Sequence, residues 1–166
     1  MLYNMIAKLD EFFEFEQVSA HCDIPCKIYD PITIQIAVLS MLRMVELIEE
    51  LRASQDLCLE QQATLARLAA EKEKQGIIVK REIGIIWGDY FKQVQLDQFP
   101  EIHQLSHNLM LKASFAKQHI DFQATLDLLD LVNRFADVFW QTKHITTYQA
   151  NCPYPPFKPV TYPKLT

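Results

Sequence analysis

The spacing of hydrophobic positions along the chain predicts a series of amphipathic helices. Apolar side chains recur every three or four residues, which is the period of a helix that buries one face. The first such segment follows Asp30-Pro31, a helix-capping residue with a proline at the first helical position, and fades near Ala53-Ser54. Its stripe is Ile34, Val38, Met41, Val45 and Ile48.

Three more segments with the helical period follow. A second helix is predicted from about Glu60 to Tyr90 with a kink at Gly76, a third from Pro100-Glu101, and a fourth from Asp121. The predicted buried positions are Leu65, Leu68, Val79, Ile83, Ile86 and Trp87, then Ile102, Leu105, Leu109, Ala113 and Ala116, then Phe122, Leu126, Leu129, Val132, Ala136 and Phe139. Residues 92–99 are predicted to be a loop, and no segment shows the strand period of two. We therefore expect an all-α protein, an antiparallel up-down four-helix bundle over residues 31–145.

The two ends of the chain differ from this helical region. Residues 146–166 should form an extended Pro-rich C-terminal tail, because proline ends helices. The prolines are Pro153, Pro155, Pro156, Pro159 and Pro163. Aromatic residues in the tail suggest that it lies against its own domain or a neighbouring subunit. At the other end, residues 1–20 lack the apolar run of a secretory signal but finish on small residues before His21, so they are a candidate leader removed on maturation.

Composition narrows the classes of protein. A chain of 166 residues that is 49% hydrophobic and 22% charged fits one globular domain, and only 3 glycines suit long helices. A net charge of -5 provides no basic surface for nucleic acid. No apolar run reaches the roughly 18 residues of a membrane span. With 4 cysteines the chain is not a disulfide scaffold, and we expect a cytoplasmic protein without nucleic-acid or membrane partners.

The candidate chemistry is concentrated at His21-Cys22-Asp23-Ile24-Pro25-Cys26, which brings an imidazole and two thiols within six positions. These are strong ligands for borderline and soft metal ions. In the uncut chain they supply three side-chain ligands, whereas structural zinc sites usually have four. A disulfide or a weak zinc site remain alternatives.

Cleavage between Ala20 and His21 would change the donor set. The new α-amine of His21, the backbone amide of Cys22 and the thiolates of Cys22 and Cys26 could then form a planar set of two nitrogens and two sulfurs, with the imidazole in an axial position. Square-planar nitrogen and sulfur donors favour nickel(II) or copper(II) over zinc.

The segment H-C-D-I-P-C-K-I-Y-D-P resembles the nickel hook of nickel-containing superoxide dismutases, which begins H-C-D-x-P-C-G-x-Y-D-P after removal of a leader. We call residues 21–30 the hook. W-G-D-Y-F-K at residues 87–92, F-P-E-I-H-Q-L at residues 99–105 and F-W-Q-T-K at residues 139–143 are also similar to that family. The resemblance covers about residues 21–143.

The resemblance implies a homohexamer of four-helix bundles that converts superoxide to dioxygen and hydrogen peroxide by Ni(II)/Ni(III) cycling. It implies one nickel ion per subunit, with His21, Cys22 and Cys26 as ligands and a protease that removes the leader. Asp23 and Pro25 would shape the hook around the metal.

The resemblance also implies site residues beyond the ligands. Tyr29 would line the open face of the site, and Tyr90 would approach the hook. Lys92 would help to attract the superoxide anion. The histidines of the third helix, His103 and His107, and the nearby His119 are interpreted as structural.

Two positions depart from the family pattern, and two cysteines lie outside the hook. Lys27 stands where the family has glycine. Ala37 stands where members have a glutamate that hydrogen-bonds the axial imidazole, so another acid such as Glu82 must replace it or the imidazole is held differently. Cys58 and Cys152 are interpreted as free thiols.

Two other functions are compatible with the residues. The first is a non-catalytic helical bundle that carries nickel or copper, or assists assembly. The second is a purely structural bundle with a disulfide loop in place of the metal site.

Overall fold

The computed structural model describes residues 27–52 and 56–165. His21, Cys22, Asp23, Pro25 and Cys26, together with the proposed leader, lie outside the described residues.

The described chain is mainly helical. The helices are α1 (Ile32–Arg52), α2 (Leu59–Ile85), α3 (Gln93–Gln98), α4 (Ile102–Gln118) and α5 (Phe122–Gln141). One π-helical turn, Ile86–Tyr90, continues α2 and is called the π turn below. Two strands, β1 (Thr147–Asn151) and β2 (Pro159–Pro163), follow α5.

The four long helices form the predicted bundle. Each packs against two others in the cyclic order α1, α2, α4, α5, as expected when successive helices run up and down around one core. Predicted caps are confirmed where α1 and α5 begin: Asp30 Oδ1 accepts a hydrogen bond from Ile32 N, and Asp121 Oδ1 accepts one from Ala124 N, both at 2.8 Å. The fully buried side chains include Ile34, Val38, Met41, Val79, Ile83, Leu109, Leu129, Phe135 and Phe139.

Some local predictions were wrong. The segment expected to be a loop between the second and third helices contains the short helix α3. Trp87 is 38% exposed, because it lies on the π turn beyond the regular part of α2. Leu65 and Leu68 are half-buried. Helix α2 also continues through Gly76 without a break.

Gly76 has a packing role where α2 crosses α4. A Cβ atom added there would lie 2.8 Å from Lys117 Cγ, so any larger residue would force the Lys117 side chain to move. Lys72, one turn earlier, is buried and its Nζ donates to the carbonyl oxygens of Ala116, Lys117 and His119 at 2.7, 2.7 and 2.9 Å. A cation thus satisfies carbonyls at the end of α4 that the helix itself cannot pair.

The C-terminal tail folds into an antiparallel hairpin, which the hydrophobic pattern did not predict. Tyr148 faces Tyr162 and Ala150 faces Val160 in the register of β1 and β2. Strand β2 packs on α5, and both Cys152 and Val160 join the hydrophobic core. The expectation that the tail lies against its own domain is therefore confirmed.

A buried polar network holds β2 to the bundle. Gln35 Nε2 donates to Thr161 O at 2.8 Å and to Asn133 Oδ1 at 3.3 Å. Asn133 Oδ1 also accepts from Thr161 N at 2.9 Å, and its amide nitrogen donates to Pro159 O at 2.9 Å. Each buried amide is thus paired by main-chain groups of the tail.

Of the helices in the described part of the chain, none combines the length and apolarity needed to cross a bilayer.

Candidate metal centre

The described part of the predicted site consists of Tyr29, Tyr90 and Lys92. Within residues 27–52 and 56–165, no group of three or more His, Cys, Asp or Glu side chains is placed to hold a metal ion. The predicted donors His21, Cys22 and Cys26 precede the described residues, so the structure shows the support of the hook and not its ligands.

The exit of the hook is fixed to the start of α1. Pro31 is buried at the beginning of the helix, and Asp30 caps it. Three residues earlier, Lys27 has φ 56°, in the left-handed region that glycine adopts without strain. The lysine therefore keeps a backbone conformation that suits the glycine of the family pattern.

Tyr29 and Tyr90 lie together, and we call them the tyrosine pair. Their ring centroids are 5.6 Å apart with an interplanar angle of 53°. Tyr90 also packs against Phe91 at 5.3 Å and Phe139 at 4.8 Å. The contact connects the residue three positions after Cys26 to the π turn and to α5.

The hydroxyl of Tyr90 points away from open solvent toward the end of α5. It lies 2.6 Å from Thr142 Oγ1, and Thr142 Oγ1 is 2.6 Å from the carbonyl oxygen of Phe139. Because the Thr142 hydroxyl donates its single hydrogen to that carbonyl, the Tyr90 hydroxyl must be the donor in the first bond. The orientation of Tyr90 is thereby fixed at both its ring and its hydroxyl.

Two lysines lie near Tyr90, and sequence reasoning selected only one of them. Lys92 is exposed, and its Nζ donates to Gly88 O at 3.2 Å. Lys143, which was not selected, places Nζ 4.8 Å from the centroid of the Tyr90 ring and 5.0 Å from that of Phe139. Lys143 ends the stretch F-W-Q-T-K at residues 139–143. The similarity of that stretch to the family was the signal in the sequence that could have selected it.

Ala37 and Glu82 bear on the departure from the family pattern. Ala37 is buried in the hydrophobic core, and its methyl side chain cannot take the place of the family's glutamate. Glu82 is partly exposed and lies 3.9 Å from Arg81 Nε. The partner of the His21 imidazole stays a prediction, because His21 is not among the described residues.

The histidines of α4, the nearby His119 and the two cysteines of the described residues differ in their surroundings. His103 Nδ1 accepts a hydrogen bond from Trp87 Nε1 at 3.0 Å. His119 stacks on Phe115 with centroids 4.0 Å apart, whereas His107 is exposed. Cys58 and Cys152 are free thiols, as predicted.

A four-helix bundle whose first helix is preceded by closely spaced histidine and cysteine donors defines a metal-dependent redox protein. The sequence pattern of the family described as "Nickel-containing superoxide dismutase" matches residues 16–143, which is more than half of the chain. The chain belongs to the nickel-containing superoxide dismutase family. It is an oxidoreductase that acts on superoxide with nickel as cofactor.

Curated relatives and solved structures agree with this assignment. "Superoxide dismutase [Ni]" of Streptomyces seoulensis is 32% identical over 127 residues, 76% of this chain and 91% of that protein. The Streptomyces coelicolor protein of the same name is 32% identical over 126 residues, 76% of this chain and 90% of that protein.

A native nickel superoxide dismutase structure aligns with a TM-score of 0.63 at 30% identity, covering 74% of this chain and 99% of that chain. A second structure, with nickel ligation of the oxidised state, has a TM-score of 0.64 at 31% identity and covers 75% and 99%. These similarities favour the enzyme over a non-catalytic metal carrier.

Proposed function

We propose that residues 21–26 hold the nickel ion after the chain is cut between Ala20 and His21. The ligands are the α-amine and imidazole of His21, the backbone amide and thiolate of Cys22, and the thiolate of Cys26. Asp23 and Pro25 shape the turn between the two cysteines. The chemistry of this donor set fits nickel, since anionic sulfur and amide nitrogen donors favour square-planar nickel(II) and stabilise a higher oxidation state.

The observation that carries this proposal is the contact between Tyr29 and Tyr90. Tyr29 is three residues after Cys26, and its ring is held 5.6 Å from the ring of Tyr90. Because Tyr90 is itself held by Thr142 and Phe139, the contact ties the end of the hook to the bundle. We take the tyrosine pair as the wall of the nickel site.

The overall reaction takes two superoxide anions and two protons to one dioxygen and one hydrogen peroxide. Nickel held by these residues would supply the one-electron couple that this reaction needs. Tyr29 is the member of the pair that can order water beside the hook, since no group in residues 27–52 and 56–165 hydrogen-bonds its hydroxyl. Tyr90 acts by positioning Tyr29, because its own hydroxyl hydrogen is engaged by Thr142.

Lys92 is proposed to help attract superoxide, on the resemblance to the family and on its exposed position beside the π turn. Its Nζ donates to Gly88 O at 3.2 Å, and the side chain is exposed. A cation near the entrance raises the local concentration of a small anion.

The domain boundaries, assembly and location are also proposals. We propose a leader at residues 1–20 removed by a protease, the hook at residues 21–30, the bundle at residues 31–145 and the tail at residues 146–166. Homohexamer formation is supported by family resemblance and by large apolar side chains on the surface, such as Leu111 and Phe115, which are 59% and 43% exposed. We also propose a cytoplasmic location, on the resemblance to the family.

The experiment is mass spectrometry of the native protein together with metal analysis. We expect a chain that starts at His21 and carries one nickel per subunit, and a chain forced to begin at Met1 should show little dismutation. Cys22→Ser and Cys26→Ser should abolish redox-active nickel binding, whereas Cys58→Ser, at an exposed free thiol, should preserve it. A fully active protein that begins at Met1, or retained dismutation in either hook variant, would contradict the proposed ligand set.

A further inference from the structure

Lys143 is held over the tyrosine pair by the end of α5. Its backbone N–H donates to Trp140 O at 3.0 Å, so the side chain leaves from a fixed point. Its Nζ then lies over the rings of Tyr90 and Phe139, at 4.8 and 5.0 Å from their centroids. An ammonium over an aromatic ring is attracted by the negative electrostatic potential of the ring face. The position of this charge is therefore set by two rings that are themselves packed.

Lys143 brings a positive charge to the tyrosine pair. In the part of the chain that the structure describes, no carboxylate forms an ion pair with Lys143. The residue is half-buried, whereas Lys92 is exposed. Salt and water screen a partly buried charge less than an exposed one.

We propose that Lys143, in addition to Lys92, supplies positive charge that draws superoxide to the tyrosine pair. This rests on the proposed function, because the tyrosine pair is taken to be the wall of the nickel site. Lys143 also lies at the C-terminal end of α5, where a cation has a purely structural use. The test must therefore separate attraction of anions from stabilisation of the helix.

A matched control lies at the other end of the same helix. Lys158 Nζ is 5.2 Å from the centroid of the Phe122 ring, at the first residue of α5. A helix of 20 residues is about 30 Å long, so Lys158 offers the same kind of contact far from Tyr90. Lys143→Met and Lys158→Met remove equal charge and keep a flexible apolar stem in both places.

The first measurement needs no turnover. The chain has only 2 tryptophans. Trp87 lies three residues before Tyr90, and Trp140 lies three residues before Lys143. In the processed protein, quenching of their fluorescence by the anion iodide is compared with quenching by neutral acrylamide. Lys143→Met should lower the iodide quenching constant about twofold with no change for acrylamide, and Lys158→Met should change neither.

The second measurement is kcat/KM for superoxide as a function of ionic strength. Lys143→Met should lower kcat/KM about twofold to fivefold at low ionic strength and converge on the wild type at high salt. Lys143→Arg should retain the wild-type salt dependence, and nickel content and thermal stability should be unchanged in both variants. Should Lys143→Met fold poorly, Lys143→Gln removes the same charge.

The outcomes distinguish this inference from the proposed function. A wild-type protein that binds nickel without dismutation defeats the proposed function, while the iodide result still decides whether Lys143 attracts anions. Equal iodide quenching in wild type and Lys143→Met overturns the inference. So does a loss of kcat/KM in Lys143→Met that salt does not abolish, or an equal loss in Lys158→Met.

Discussion

The hydroxyl of Tyr90 donates to Thr142 Oγ1 over 2.6 Å, which connects the π turn to the first residue after α5. These residues are 52 positions apart in the sequence. The bond joins Tyr90 to the residue that precedes Lys143. A small polar contact at the end of α5 thus holds the tyrosine that packs against Tyr29.

Thr142→Val should weaken the protein, because the isosteric side chain can neither accept from Tyr90 nor donate to Phe139 O. The expected loss is about 1–2 kcal/mol in the free energy of unfolding, measured by urea denaturation. Thr142→Ser keeps the hydroxyl and should remain close to wild type. Thr64→Val removes a comparable hydroxyl on α2. Its hydrogen bond to Glu60 O is exposed, so this variant should lose less stability. A serine variant as weak as the valine variant would contradict the assigned hydrogen bonds.

Lys27→Gly should be tolerated, since φ 56° at this position suits glycine. Relief of the left-handed conformation should raise the free energy of unfolding or leave it unchanged, within about 1 kcal/mol. Lys27→Val should lower it, because a β-branched residue resists positive φ. Thermal unfolding of the three proteins measures the order, and a valine variant as stable as the glycine variant would refute the strain.

Lys72→Met should destabilise the bundle, because three carbonyl oxygens at the end of α4 lose their donor. The expected cost is about 1–3 kcal/mol in the free energy of unfolding. Lys74→Met is the control on the same helix, since Lys74 is 67% exposed and its ion pair with Glu71 is weak. Equal losses of unfolding free energy in the two variants would show that the buried hydrogen bonds of Lys72 do not stabilise the protein.

The same lysine should make stability depend on pH. Burial lowers the pKa of Lys72 from its ordinary value of 10.5, an effect that the charge of Glu73 opposes and that of Lys117 reinforces. Between the lowered pKa and 10.5 the unfolded chain binds more protons than the folded one, so the free energy of unfolding rises with pH. The difference in unfolding free energy between wild type and Lys72→Met should therefore increase across that window. If the difference decreases as the pH rises, the pKa of Lys72 is raised in the folded protein and not lowered.

Asn133→Ala should loosen the tail from the bundle. Its side chain pairs with Gln35, Thr161 N and Pro159 O. Truncation removes the side-chain partner of Thr161 N and Pro159 O, while Gln35 keeps its bond to Thr161 O. We expect a loss of about 2–3 kcal/mol and faster hydrogen exchange at Thr161 N. Asn108→Ala, at an exposed position on α4, should have little effect. Unchanged exchange at Thr161 N would show that the network does not hold β2.

The sequence was sufficient for the long helices and for the family, because their signals are local. The stripe of α1 and the caps Asp30 and Asp121 depend on residues within one or two turns of each other. The order of histidine, cysteines and Tyr29 is likewise contained in one short segment.

Other features depend on contacts between distant segments. The hairpin is stabilised by the bond from Gln35 to Thr161 O, a separation of 126 residues, and by burial of Val160. The π turn removes Trp87 from the stripe that a regular helix predicts. Lys143 reaches Tyr90 only because α5 returns to the end of α2.

The separation between Gln35 and Thr161 also affects how the protein is made. During synthesis, α1 leaves the ribosome long before the strand that satisfies its buried amide. Until β2 is translated, the bundle exposes part of its core, and Gln35 lacks its main-chain partner Thr161 O. Native packing of the bundle is thereby coupled to synthesis of the hairpin.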